Sequence, residues 1–92
     1  MDGIERTFTI VNRLGLHARA AAKLVQTANR FRSETTISRD GRLANAKSIM
    51  GVLMLAAPQG SEVVVRAQGP DAAEVVAALG ELIEAGFGED TG

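Results

Sequence analysis

The chain has 92 residues and a net charge of −1. Its length allows one small domain and excludes two separate hydrophobic cores. With no cysteine and one histidine, it excludes disulfides and thiolate chemistry and argues against a transition-metal site, so we expect neither metal nor cofactor. The acidic balance and scarcity of aromatic residues disfavour nucleic-acid binding. The N-terminus lacks signal-peptide features, and no apolar run is long enough for a bilayer. We therefore expect a cytoplasmic protein without membrane insertion.

The charges are distributed unevenly along the chain. Residues 1–47 contain nine Lys and Arg against four Asp and Glu, whereas residues 48–92 contain one against seven. A basic first half could attract an acidic protein partner. Folding could equally interleave the two halves and cancel the asymmetry, so both interpretations stay open.

The first half of the chain predicts three strands and one helix. The strands cover residues 4–11, 35–39 and a short return segment at 42–44, with the dipeptide Asp40-Gly41 as a two-residue hairpin turn. A polar loop at 12–16 precedes the helix. Its apolar stripe has helical spacing and consists of Ala21, Leu24, Val25, Ala28 and Phe31.

The second half predicts a short helix, a strand and a final helix. The short helix covers residues 48–55, and residues 62–68 alternate as a strand with Val63, Val65 and Ala67 on one face. Asp71 is the predicted N-cap of the final helix, in a capping-box-like pair with Glu74. Gly86-Phe87-Gly88 ends that helix, and residues 89–92 are predicted to form a frayed tail.

The predicted order is β-α-β-β-α-β-α within one domain that comprises residues 1–92. Strands that alternate in polarity bury one face and leave the other in water. We therefore expect an α+β, open-faced β-sandwich, with a four-stranded, mostly antiparallel sheet and three helices on one face. This architecture alone does not indicate a function.

The single histidine, His17, lies where the polar loop meets the first helix. A helix start presents unpaired N–H groups and a positive dipole end, which favour a bound anion. A neutral imidazole is also a nucleophile near pH 7, and Arg19 could hold phosphoryl oxygens bidentately. Small Gly15 and Ala18 leave the position open to a partner. The combination suggests phosphate chemistry on His17, although a histidine that merely caps a helix is the plainer alternative.

Ser48 occupies the start of the second helix, where serine most often serves only as a cap. The following residues include more large apolar side chains than so short a helix can bury, which predicts a small exposed patch for partner docking. Phosphorylation of Ser48 would add about two negative charges beside that patch. The predicted docking residues are Ala18, Ala20, Ile49, Met50, Gly51, Leu53 and Met54.

Two segments resemble those of a known family. Residues 12–19, Asn-Arg-Leu-Gly-Leu-His-Ala-Arg, are similar to the active-site signature of the histidine-containing phosphocarrier protein (HPr) of the bacterial phosphoenolpyruvate–sugar phosphotransferase system. Residues 47–52, Lys-Ser-Ile-Met-Gly-Val, resemble its regulatory serine segment. The separation of the two segments, the chain length and the element order also match. Many members have a proline where this chain has Ala20.

The resemblance implies a phosphoryl carrier that is not itself an enzyme. It implies that Nδ1 of His17 accepts a phosphoryl group from phosphorylated Enzyme I and passes it to an enzyme IIA component for sugar uptake, with Arg19 as the electrostatic partner of the phosphoryl group. It also makes Ser48 a candidate target of an HPr kinase/phosphorylase. We expect the carrier to be a monomer.

Two alternatives remain at this stage. A regulatory, nitrogen-type or signalling HPr paralogue would use its phosphorylation state to control partner proteins and would not serve sugar transport. A pure interaction module would bind a partner through Ile49, Met50 and Met54 and would leave His17 incidental. The second alternative gives no joint explanation for Gly15, His17 and Arg19.

Overall fold

The computed structural model describes residues 3–92; Met1 and Asp2, which are predicted to belong to the same domain, lie outside the described residues. The element order confirms the predicted β-α-β-β-α-β-α pattern. A short 3₁₀ turn, Gly86–Gly88, follows the last helix. The strands and helices are β1 (Ile4–Thr9), α1 (Ala18–Ala28), β2 (Glu34–Arg39), β3 (Arg42–Asn45), α2 (Ile49–Met54), β4 (Glu62–Gln68) and α3 (Ala72–Glu84).

The four strands form one antiparallel sheet in the order β1-β4-β2-β3. Asp40 and Gly41 connect β2 to β3 with positive φ angles of 51° and 81°. Two successive positive φ angles are the backbone requirement of a type I′ turn, which matches the right-handed twist of the paired strands. The hairpin predicted from this dipeptide is therefore confirmed.

The core lies between one face of the sheet and the helices. Val63, Val65 and Ala67 of β4 are buried, as their alternation predicts, and α3 packs across β1, β4 and β2. Within α3, Gly80 faces the ring of Phe8: a Cβ at that position would lie 2.4 Å from the ring. The glycine therefore lets the helix approach the sheet closely.

Helix α1 packs against α2 and α3, and α2 lies beside β3. The end of α2 is held by two arginines of the β2–β3 hairpin. Arg39 donates to the carbonyl of Leu55 at 3.1 Å, and Arg42 donates to that of Met54 at 3.4 Å. Cations at a helix C-terminus satisfy free carbonyls and oppose the negative dipole end, which supports a helix of only six residues.

The start of α3 differs from the predicted capping box. Asp71 occupies the N-cap position, but its carboxylate accepts hydrogen bonds from the backbone N–H groups of Arg32 and Ser33 and from the Ser33 hydroxyl. These bonds, with the Ser33 hydroxyl first, lower the pKa of Asp71 to about 2. The side chain thus joins α3 to the loop before β2. Within residues 3–92, no helix has both the length and the apolar character needed to cross a bilayer.

Candidate functional site

His17 is the N-cap of α1. Its backbone is extended, and its Nδ1 accepts a hydrogen bond from the backbone N–H of Arg19 at 3.3 Å. Its carbonyl accepts the first helical hydrogen bond, from the N–H of Ala21 at 2.8 Å. The first turn of α1 contains no acidic residue, so the positive end of the helix is not neutralised from within the helix.

The loop before His17 is fixed by local bonds and by a close backbone approach. The N–H of Leu16 donates to the carbonyl of Ala57 at 2.8 Å, and Leu16 itself is buried. Gly15 has a φ of 68°, and a Cβ there would lie 2.5 Å from the same Ala57 oxygen. Only glycine fits both constraints without a shift of the backbone. The orientation of His17 therefore depends on a rigid loop.

The other side of the imidazole faces the C-terminal segment. Nε2 of His17 lies 2.8 Å and 2.7 Å from the two carboxylate oxygens of Glu89, which is 72 residues away in sequence. The exposed fractions of the two side chains are 28% and 15%. His17 is thus half-buried at its carboxylate side, whereas the contact between Nδ1 and the amide lies at the exposed side.

The two contacts select one tautomer of the neutral ring. Nδ1 accepts a hydrogen bond from an amide, so it carries no proton. Nε2 faces an ionised carboxylate, which can only accept, so Nε2 carries the proton. The hydrogen bond from His17 is the main cause that lowers the pKa of Glu89, and a second hydrogen bond, from Asn12, lowers it further. Glu89 is therefore ionised at neutral pH.

Asn12 connects Glu89 to the loop before His17. Its buried side-chain NH₂ donates to the carbonyl of Gly15 at 2.7 Å and to Oε1 of Glu89 at 3.0 Å. Both partners are acceptors, which fixes the orientation of the amide group. In the sequence, Asn12 stands out only as part of the motif before His17, and no separate role is predicted for it.

The prediction that residues 89–92 form a frayed tail is wrong. Besides the Glu89 contacts, the carbonyl of Asp90 accepts from the N–H of Arg13 at 2.8 Å, and that of Thr91 accepts from Gln59 at 2.9 Å. Phe87, just before this segment, is fully buried, and its carbonyl accepts from Nζ of Lys23 at 2.6 Å. The buried ring anchors the segment, and the hydrogen bonds place it against the His17 loop.

The surroundings of His17 form an open depression of about 800 Å³. Ala18 is exposed at its edge, as predicted, and Arg19 and Leu14 are also exposed. Ala20, in contrast, was predicted to contact a partner but is fully buried, because it lies on the apolar stripe of α1. The residues that line the depression are Arg13, Leu14, His17, Ala18, Arg19, Gly88, Glu89 and Asp90.

Ser48 is the N-cap of α2, as predicted, and its Oγ accepts from the N–H of Gly51 at 3.3 Å. Three side chains of α2 form an exposed apolar patch: Ile49, Met50 and Met54 are 41%, 65% and 70% exposed. Leu53 and Gly51 are half-buried, with Leu53 packed against the core. The patch predicted from the excess of apolar residues is thus present, with Val52 as the residue that α2 buries.

Comparisons with known proteins identify the family of this chain. The family model described as the PTS HPr component phosphorylation site matches residues 4–85. The chain is 56% identical over 88 residues to the Phosphocarrier protein HPr of Xylella fastidiosa (strain Temecula1), which covers 96% of this chain and 99% of that one. The chain belongs to the HPr family. HPr proteins are phosphocarriers of the phosphotransferase system, and they are not enzymes.

Solved HPr structures have the same fold. HPr-C-His from Thermoanaerobacter tengcongensis superimposes with a TM-score of 0.91 at 47% identity, covering 95% of this chain and 98% of that chain. The solution structure of Crh, the Bacillus subtilis catabolite repression HPr, gives a TM-score of 0.66 at 41% identity, covering 87% and 95%. The predicted open-faced sandwich and the predicted family are therefore confirmed.

Proposed function

We propose that Nδ1 of His17 accepts a phosphoryl group from phosphorylated Enzyme I and donates it to an enzyme IIA component during sugar uptake. The observation that carries this proposal is the state of the imidazole, whose unprotonated nitrogen lies at the exposed start of α1. A nucleophile needs a free electron pair, and the tautomer described above leaves that pair on Nδ1.

The start of α1 supplies positive electrostatics for the transferred group. Phosphoryl transfer proceeds through a charge-dispersed transition state, so catalysis consists mainly of positioning and charge stabilisation. The N–H of Arg19 now donates to Nδ1; when Nδ1 attacks phosphorus, that N–H turns to a phosphoryl oxygen. The exposed guanidinium of Arg19 supplies further donors in a planar fork that matches phosphate geometry.

Partner docking is assigned to the surfaces beside the two helix starts. Ala18 is small and exposed, so a partner's phosphohistidine can approach His17. The exposed methionines of α2 offer an adaptable apolar contact, to which Gly51 and Leu53 contribute their exposed parts. We further propose that Ser48 is the target of an HPr kinase/phosphorylase, since its phosphorylation adds charge beside this patch. We propose that the chain carries the phosphoryl group as a monomer in the cytoplasm.

The test uses the full chain with its cognate Enzyme I and phosphoenolpyruvate. The wild type is expected to take up one acid-labile phosphate, which peptide mapping places on His17, and His17→Ala is expected to take up none. Ser48→Ala is the matched control, because it removes the other helix cap and leaves His17 unchanged. The proposal is wrong if the wild type stays unlabelled while Enzyme I itself becomes phosphorylated in the same reaction.

A regulatory role is the second candidate, favoured by the structural similarity to Crh, which is named for catabolite repression. In that case the phosphorylation state of the chain would control partner proteins. Uptake of phosphotransferase sugars by a strain that lacks this chain separates the two roles. Impaired uptake, restored by the wild type but not by His17→Ala, supports transport; normal uptake supports the regulatory role.

A further inference from the structure

The contact between Glu89 and His17 lies on the side of the ring opposite the reactive nitrogen. Both carboxylate oxygens are within 2.8 Å of Nε2, which gives the proton on Nε2 two acceptors at once. A hydrogen bond between an N–H donor and an ionised acceptor is stronger than a neutral one. Neither the motif around His17 nor the helix start explains this arrangement, since Glu89 comes from the far end of the chain.

We propose that Glu89 is a positioning residue for phosphoryl transfer: it keeps the proton on Nε2, leaves the electron pair of Nδ1 free, and balances the positive charge that forms on the ring when Nδ1 is phosphorylated. This inference rests on the proposed function of His17. In the Ser-His-Asp triad of hydrolases, a buried carboxylate likewise holds an imidazole in one tautomer and stabilises its positively charged form.

The charge balance of the step explains why a carboxylate is needed. The bond between phosphorus and the donor nitrogen of the partner breaks, and a bond between phosphorus and Nδ1 of His17 forms. The proton on Nε2 stays in place, so the phosphorylated ring carries a positive charge that the neutral ring lacked. In the following transfer the bond between phosphorus and Nδ1 breaks as a bond between phosphorus and the next acceptor forms, and the ring leaves as neutral imidazole with the same proton. In the free chain the carboxylate of Glu89 faces Nε2, the atom that bears this proton.

The surroundings keep Glu89 in place and ionised. Asn12 donates to Oε1 of Glu89, and Phe87 anchors the chain two residues earlier. Nζ of Lys23, on α1, donates to the carbonyl of Phe87, and its charge also lowers the pKa of Glu89. Arg13 and Asp90 form an exposed ion pair at 3.7 Å next to the site. Arg19, in the first turn of α1, lines the depression around His17, as does Arg13. Lys23 therefore favours the ionised form of Glu89.

The first measurement is the tautomer of His17 in the free, full-length chain. Glu89→Gln retains an acceptor oxygen and a similar volume but removes the negative charge. Two-bond ¹H–¹⁵N spectra at pH 9, where imidazoles are neutral, are expected to show the Nε2-protonated form in the wild type and a mixture of both tautomers in Glu89→Gln. Glu84→Gln removes an exposed carboxylate at the end of α3, outside the depression, as a matched control and should retain the wild-type tautomer.

The second measurement is the rate of phosphorylation of His17. With phosphoramidate, a small donor that needs no docking, Glu89→Gln is expected to react about tenfold more slowly than the wild type and Glu84→Gln at the wild-type rate. With Enzyme I, the same loss should lie in kcat, with KM for the chain unchanged. If Glu89 had only a structural role, Glu89→Gln would lower thermal stability but would change neither the tautomer of His17 nor the rate of its phosphorylation relative to the wild type.

The outcomes separate the two proposals. Equal tautomer populations and equal phosphoramidate rates in wild type and Glu89→Gln would overturn the role of Glu89 even if Enzyme I labels His17. A changed tautomer in Glu89→Gln, combined with no labelling of the wild type by Enzyme I, would support the control of the proton by Glu89 and reject the carrier function.

Discussion

The starts of α1 and α2 place a functional candidate in the same backbone position with different surroundings. His17 and Ser48 both have an extended backbone, and the side chain of each accepts a hydrogen bond from an amide of its own helix at 3.3 Å. His17 also contacts a carboxylate from the far end of the chain, and charged residues lie around it. Ser48 lies beside exposed apolar side chains.

The comparison indicates that a helix cap alone does not define a reactive site. The amide that His17 accepts from can be offered by any helix start, as Ser48 demonstrates. What differs is the second contact, because Glu89 fixes the proton of the imidazole whereas the Ser48 hydroxyl is held only by the geometry of a cap. The first start therefore holds a ring with one proton position, and the second holds a hydroxyl beside an apolar surface.

The largest effect is expected from Phe87→Ala, which removes the anchor of the segment that reaches His17. Phe87 is 1% exposed, and truncation of a buried phenylalanine lowers the free energy of unfolding by about 3–5 kcal/mol. The loosened segment should release Glu89, so the spectra of the His17 ring should change while the amide signal of Gly51 beside Ser48 stays constant. Urea unfolding and ¹H–¹⁵N spectra measure the two effects.

Leu43→Ala provides the control, because Leu43 is 71% exposed and its truncation should change the free energy of unfolding by less than about 0.5 kcal/mol. Phe87→Leu should lie between the two variants. If Phe87→Ala leaves the His17 ring signals unchanged, the C-terminal segment is held without its anchor, and the difference between the two helix starts has another origin.

A smaller effect is expected from Ser48→Asp, which alters the second helix start by charge alone. Aspartate caps helices as well as serine does, so stability should be retained. The added negative charge lies beside exposed Ile49 and Met50, and we expect it to slow loading by Enzyme I about tenfold. Phosphoramidate should phosphorylate His17 at the wild-type rate, because the chemistry at the first helix start is unchanged.

Ser48→Asn is the matched neutral variant, since asparagine also caps helices. It should load at the wild-type rate with Enzyme I. Equal slowing of Ser48→Asn and Ser48→Asp would indicate a steric effect and contradict the role assigned to charge. Slower reaction of Ser48→Asp with phosphoramidate would instead mean that the two helix starts are coupled.

The features that the sequence predicts well are local ones. The two-residue turn at Asp40 and Gly41 depends on the backbone freedom of those residues, and the burial of β4 follows from its alternation. His17 and Ser48 lie at helix starts for the same local reason. Each pattern is complete within a few residues, so the sequence alone specifies it.

The features that it predicts poorly depend on contacts between distant segments. Nothing in residues 89–92 indicates that Glu89 reaches His17, because this contact requires the path of α3 and the burial of Phe87. The burial of Ala20, in contrast, is a local feature that the sequence does contain, because helical spacing from Leu24 places Ala20 on the buried stripe of α1. A buried anchor before an acidic residue is the signal that could have suggested the C-terminal contact.

The start of α3 extends the comparison to a third case and gives the smallest expected effect. Asp71 is an N-cap by position, but its carboxylate binds Arg32 and Ser33 and does not cap its own helix. Its pKa is lowered from 3.8 to about 2, so its contribution to stability is fully present above about pH 4 and is lost as the pH falls through about 2. Asp71→Asn should therefore unfold at lower urea concentration than the wild type at pH 6.

The difference in urea midpoint between Asp71→Asn and the wild type should shrink as the pH falls from 4 to 2, because the carboxylate of the unfolded wild type takes up a proton in that window whereas the folded chain keeps it mostly ionised until about pH 2. Glu74→Gln, at the exposed position of the predicted capping box, is the control and should show a small difference with no such convergence. A constant difference for Asp71→Asn across the whole range would mean that its bonds depend on shape and not on charge. Convergence would show that the charge of Asp71 stabilises the fold through the distant segment that it contacts. The contact between Glu89 and His17 likewise joins a carboxylate to a distant segment.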